Sequence, residues 1–173
     1  MRKTVTWVMA LIFGLVAHAA SAQVVPTDQY VRLSTQFRTD AMCLDVFNGG
    51  PDNNETHLAN CANFSGQFWH FRRDGEWFRL TTMFRGEEMC LDIHNGGPDN
   101  NQPQLRRCAN YSGQFWKVWQ EGQYVRLTTS FRGPDMCLDI FNGGAKNNQP
   151  HLVPCANYSG QFWKIRRTGK WIN

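Results

Sequence analysis

The feature that most constrains this 173-residue chain is a 47-residue repeat. Cys43, Cys90 and Cys137 stand 47 apart, as do Cys61, Cys108 and Cys155, and again Trp69, Trp116 and Trp163. The units run 30–76, 77–123 and 124–170 without a gap, and the second and third are identical at 31 of 47 positions. Trp171-Ile172-Asn173 opens a fourth unit with an aromatic, as Tyr30, Trp77 and Tyr124 open the others. That stub is either a clipped strand or the one that completes a sheet left open at the start. A unit this short cannot bury its apolar face alone, so three must share one core.

Within a unit the periodicity is two. In Met42-Cys43-Leu44-Asp45-Val46-Phe47, Leu44 and Val46 face one way and Cys43, Asp45 and Phe47 the other, as in a half-buried strand. Similar runs begin at Tyr30, His57 and Gln67, separated by turn chemistry such as Asn48-Gly49-Gly50-Pro51 and Ser65-Gly66. Asn53-Asn54, Asn100-Asn101 and Asn147-Asn148 also read as bend formers. The spacing predicts four short strands per unit, about twelve in all, and no segment has helical periodicity. A three-bladed propeller would be unusually small, and an open solenoid would want distinct capping repeats. The remaining closed threefold arrangement is an all-β trefoil.

Residues 1–22 stand apart from the repeat. Arg2 and Lys3 precede an apolar run from Val5 to Ala17 and a small-residue site at Ala20-Ser21-Ala22, the pattern of a secretory signal peptide. The run is shorter than the roughly 20 apolar residues a membrane span needs, so no stable membrane insertion is expected. The mature chain is then a lead at 23–29 and a domain at 30–173. It is secreted, either extracellular or, in a bacterium, periplasmic. With Arg2 and Lys3 gone and no acid in that stretch, the net charge of +4 falls to +2. So little positive charge argues against a nucleic-acid partner.

Six cysteines in a secreted chain read as disulfides rather than metal thiolates, and there is no Cys-x-x-Cys. A threefold structure admits two repeating pairings: within each unit, or cyclically between units. No metal or other cofactor is expected.

The recurring Cys-Leu-Asp-Val or Cys-Leu-Asp-Ile (43–46, 90–93, 137–140), the second cysteine 18 residues on, and Gly-Gln-Phe-Trp (66–69, 113–116, 160–163) resemble the ricin B-type lectin domain with its threefold Gln-x-Trp signature. The resemblance covers nearly all of 30–170. It implies a β-trefoil of three 47-residue repeats, with the disulfides Cys43–Cys61, Cys90–Cys108 and Cys137–Cys155. It also implies a carbohydrate site in each unit, centred on the aspartate of Cys-x-Asp: Asp45, Asp92 and Asp139. An ionised carboxylate accepting paired hydroxyls suits a galactose-like diol. The alternative role for these aspartates is to tie down the following turn.

The sequence departs from the family pattern around that carboxylate. The stacking position two before the second cysteine holds Ala59, Arg106 and Val153, and the polar position before the glutamine holds Gly66, Gly113 and Gly160. Two sets of substitutes for the stacking ring are present: Phe47, His94 and Phe141, two residues after the aspartate, and Phe64, Tyr111 and Tyr158 in the loop before the glutamine. His57, Gln104 and His151 stand where the family commonly carries a hydrogen-bonding glutamine. Gln67, Gln114, Gln161 and the three tryptophans read as fold rather than function.

No catalytic set appears. A glycosidase needs two carboxylates at a fixed separation, whereas the neighbouring acids Asp52 and Asp99 become Lys146, and Glu55 becomes Gln102 and Gln149. The expected function is therefore a non-catalytic, secreted lectin with up to three shallow sugar sites and glycans as partners. The competing expectation is a protein-interaction trefoil, a toxin-complex subunit or an inhibitor, that keeps the fold and has lost sugar binding.

Overall fold

A computed structural model describes residues 25–172. The leader assigned to 1–22 lies outside them. Twelve strands appear, four per unit: β1 (Gln29–Thr35), β2 (Met42–Val46), β3 (Thr56–Asn60), β4 (Trp69–Asp74), β5 (Trp77–Thr82), β6 (Met89–Ile93), β7 (Pro103–Arg107), β8 (Trp116–Glu121), β9 (Tyr124–Thr129), β10 (Met136–Ile140), β11 (Pro150–Pro154) and β12 (Trp163–Trp171). The expected strand beginning at Gln67 begins at Trp69 instead. Ser65–Gln67, Ser112–Gln114 and Ser159–Gln161 wind into single 3-10 turns because the glutamine side chains are drawn inward.

Six strands close a barrel in the order β1-β12-β9-β8-β5-β4, and β2-β3, β6-β7 and β10-β11 form three hairpins. The barrel pairs β4-β5, β8-β9 and β12-β1 each join one unit to the next. Adjacent pairs meet at Val31↔Trp69, Phe78↔Trp116 and Val125↔Trp163. In the terminal stub Trp171 pairs with Gln29, so β12 reaches the start of β1 in the closed barrel. The architecture is the expected β-trefoil.

Trp69, Trp116 and Trp163 are fully buried at the centre with Leu33, Leu80 and Leu127. Each indole Nε1 donates to a hairpin carbonyl, of Leu44, Leu91 and Leu138, at 2.8 Å, so no polar atom of the ring is stranded in the core. The disulfides join Cys43–Cys61, Cys90–Cys108 and Cys137–Cys155, the within-unit pairing. A second cyclic set of contacts surrounds the pseudo-threefold axis. Asn54, Asn101 and Asn148 hold left-handed backbone, with φ of 73°, 72° and 69°, a region that asparagine tolerates better than most residues. Their carbonyls accept the N–H of Leu105, Leu152 and Leu58 in the following unit, at 2.8–2.9 Å. Among the described residues no helix is long and apolar enough to cross a membrane.

Candidate functional site

Each hairpin strand that begins Met-Cys-Leu-Asp sends its leucine into the core and its aspartate to the other side, against the 3-10 turn. Asp45, Asp92 and Asp139 are nearly buried there. The Oδ1 atoms accept the backbone N–H of Val46, Ile93 and Ile140 at 2.7–2.8 Å. The Oδ2 atoms accept Nε2 of Gln67, Gln114 and Gln161 at 2.9–3.1 Å. The same amides donate to the carbonyls of Asn60, Arg107 and Pro154, and accept the N–H of Ala62, Ala109 and Ala156. Arg79 and Arg126 add a second donor to Gln114 and Gln161. The glutamines are therefore spent on the fold. Each carboxylate has given up part of its capacity to a fixed network and keeps the rest, an ionised carboxylate offering about four lone-pair sites.

The glycine before each glutamine now has a physical reason. A Cβ on Gly66, Gly113 or Gly160 would collide with Oδ1 of the aspartate, and at Gly113 it would also stand 3.0 Å from the Ile93 nitrogen.

Above each carboxylate lies an open pocket, of about 480 Å³ over Asp45, 510 Å³ over Asp92 and 470 Å³ over Asp139, within the range of small-molecule sites. The linings repeat. Asn48, Asn95 and Asn142 lie on one side, and Asn63, Asn110 and Asn157 with Phe64, Tyr111 and Tyr158 form the loop on the other. The far wall belongs to a neighbouring unit: Phe84 closes the first pocket, Phe131 the second and Phe37 the third. Each pocket is thus shared by two units, and the third is assembled from the two ends of the domain.

That wall is held by arginines. Arg38, Arg85 and Arg132 lie 4.0–4.1 Å over Phe37, Phe84 and Phe131. Their guanidiniums donate to Asn147, Asn53 and Asn100 of the preceding unit at 2.7–3.0 Å, and those Oδ1 atoms also accept the N–H of Gly143, Gly49 and Gly96. In the sequence neither this wall nor Asn48, Asn95 and Asn142 reads as part of the site; Asn48 reads there only as a turn residue. The signal was present as Phe-Arg at 37–38, 84–85 and 131–132.

Of the two aromatic sets, the loop rings line the pockets. Phe64, Tyr111 and Tyr158 are 62%, 60% and 63% exposed, too open to be there for packing. The hairpin set turns elsewhere. Phe47 stacks face to face on His57 (3.7 Å, 9°) and Phe141 on His151 (3.6 Å, 17°), outside the pocket linings. In the second unit Gln104 Nε2 donates to His94 Nδ1 at 3.3 Å. His57, His151 and Gln104 stand across the hairpin from Asp45, Asp139 and Asp92. Burial holds His57 and His151 below the usual histidine value, partly offset by the facing aspartate. His94 is lowered chiefly by burial as well. Arg106, at the position where the family carries a stacking ring, lines the second pocket and sets it apart.

Among solved structures, one described as a mosquitocidal holotoxin matches with a TM-score of 0.71 at 12% identity, covering 84% of this chain and 18% of its own. The chain thus spans about a fifth of that relative. The designed threefold symmetric protein ThreeFoil gives 0.65 at 16% identity, over 80% of this chain and 99% of its own. The ricin B-like lectin of Macrolepiota procera, solved with lactose, gives 0.63 at 19% identity, over 84% and 100%. At these identities the likeness is one of fold. No curated protein matches. The profile of the ricin-type beta-trefoil lectin domain matches residues 76–173, more than half of the chain and essentially its second and third units. With three Cys-x-Asp carboxylates bonded to three Gln-x-Trp glutamines around one core, the chain belongs to the ricin-type β-trefoil lectin family.

Proposed function

We propose that the protein is a secreted, non-catalytic lectin that binds galactose-like rings in three shallow pockets, through Asp45, Asp92 and Asp139 and the loop rings Phe64, Tyr111 and Tyr158. The observation that carries this reading is the threefold recurrence of an exposed aromatic ring beside a nearly buried carboxylate and two asparagine amides. A sugar presents an apolar C–H face to a ring and a hydroxyl edge to acceptors and donors, and each pocket offers both. Family membership supports carbohydrate as the ligand class, and the M. procera relative was solved with lactose. Three disulfides and the leader-like segment at 1–22 support secretion. The hairpin residues His57, Gln104 and His151 stand opposite the aspartates in register and engage Phe47, His94 and Phe141 beside them.

Open pockets with partly committed carboxylates bind weakly, on the order of millimolar or about −4 kcal/mol per site. Three outward-facing sites compensate on a glycan-coated surface, where multivalency adds a factor of about 10² or more. The test removes the exposed rings rather than the aspartates. Asn in place of Asp45 would face its own amide N–H₂ to either the Gln67 amide or the Val46 N–H, so loss of binding would be confounded with loss of fold. Binding of the mature protein to a galactoside-coated surface should fall stepwise through Phe64→Ala, Tyr111→Ala and Tyr158→Ala, and vanish in the folded triple variant. A triple variant that binds like the parent would remove these pockets from the account. A parent that ignores glycans would favour a protein-interaction trefoil, the reading suggested by the internal bonds of the carboxylates.

A further inference from the structure

The repeat varies beside the pockets at one position, which holds Gln36, Met83 and Ser130. Next to the third site lies a further chamber of about 320 Å³, lined by Gln36, Tyr124, Asn157, Ser159 and Phe162. It shares Asn157 and Ser159 with the Asp139 pocket, so the two spaces adjoin. We propose that they form one extended cleft, which takes an oligosaccharide of two or more rings where the other two sites take a single terminal ring. The inference rests on the lectin reading above.

The chamber has the composition of a sugar subsite. Tyr124 and Phe162 meet at 5.8 Å and 48°, forming an apolar surface. The exposed amides of Gln36 and Asn157 and the Ser159 hydroxyl supply polar groups around it. Its cations are already answered. Lys164, 5.7 Å over Tyr124, reaches Asp40 at 3.3 Å, and Arg126, 4.6 Å over Phe162, reaches Glu121 at 3.2 Å. A neutral sugar suits these surroundings better than an anionic one.

The other two units lack this combination. At the first site Met83 stands in place of Gln36, Tyr30 is turned edge-on to His70 at 6.2 Å, and Lys170 covers Phe68 at 4.9 Å. At the second, Ser130 replaces Gln36 and Trp77 replaces Tyr124, with Lys117 over that indole just as Lys164 stands over Tyr124. The amide and the Tyr–Phe pair therefore coincide at the third site.

Two variants isolate the sites. Phe64→Ala/Tyr111→Ala keeps the loop ring of the third pocket, and Phe64→Ala/Tyr158→Ala keeps that of the second. Each is titrated with methyl β-galactoside and with lactose. The third-site protein should bind lactose about ten-fold more tightly than the monosaccharide, a difference of about 1.4 kcal/mol. Gln36→Met, which installs the residue of the first unit, should cut that ratio several-fold. The second-site protein should show a ratio near one. A ratio near one at the third site, or one indifferent to Gln36→Met, overturns the extended cleft and leaves the lectin reading standing. A parent protein that binds neither sugar overturns both.

Discussion

The contact between Gly113 and Asp92 can be tested by adding one methyl group. In Gly113→Ala the new Cβ would collide with Asp92 Oδ1 and stand 3.0 Å from the Ile93 nitrogen. The carboxylate cannot simply swing away, because Oδ1 is held by Ile93 N–H at 2.8 Å and Oδ2 by Gln114 Nε2 at 3.1 Å. Overpacking of this kind costs about 1–3 kcal/mol, and each buried hydrogen bond weakened adds about 1 kcal/mol. A total of about 2–4 kcal/mol is expected, which in a chain of this size lowers Tm by about 5–15 °C. Gly66→Ala should be milder, since the corresponding backbone nitrogen, of Val46, lies 3.3 Å away. The decisive form is a double-mutant cycle by urea unfolding with disulfides intact. Asp92→Ala alone strands the Ile93 and Gln114 donors and destabilises, but it also clears the space for the Cβ, so the double variant should cost about 1 kcal/mol or more less than the sum. A Gly113→Ala protein within about 0.5 kcal/mol of the parent, or strictly additive costs, would refute the reasoning.

Trp116→Ala should destabilise by about 3–5 kcal/mol, because it empties the centre of the shared core and leaves the Leu91 carbonyl without its indole donor; an unchanged denaturation midpoint would put that ring at the surface. The stacked histidines should make stability depend on pH. Burial holds the His57 and His151 pKa below the ordinary histidine value of 6.5, so just under that value the unfolded chain binds more protons than the folded one. Their contribution is complete above pH 6.5 and is lost as the pH falls through the lowered folded values. Thermal melts from pH 7.5 to 4.5 should show this loss, and it should be smaller in His57→Gln/His151→Gln, which installs the residue the second unit already has. An equal loss in the double variant would rule the histidines out.

Much of the fold was legible because it is written three times. A 47-residue period, paired cysteines and Gln-x-Trp are one-dimensional signals; they specify strand number and core tryptophans and narrow the bridges to two repeating pairings, between which the family resemblance decides. The site was legible only in part, because each pocket is built across a unit boundary. Phe84 lies about 20 residues beyond Phe64 in sequence yet lines the same pocket, and Phe37 meets Asp139 through closure of the chain ends. Strand alternation placed Phe47 on the same face as Asp45 but could not show that His57 would claim its ring. Gly66, Gly113 and Gly160 read as lost ligands, whereas in three dimensions they are the surface against which the carboxylates rest.

The central claim, a sugar pocket over the aspartate of each unit, is tested most directly by titrating isotope-labelled mature protein with methyl β-galactoside into the millimolar range and following the backbone amide spectrum. The account predicts saturable shifts in three clusters, at 63–66, 110–113 and 157–160, with further shifts at Phe84, Phe131 and Phe37 across each pocket. An unmoved spectrum, or shifts confined to the Phe47–His57 and Phe141–His151 hairpins, would contradict it.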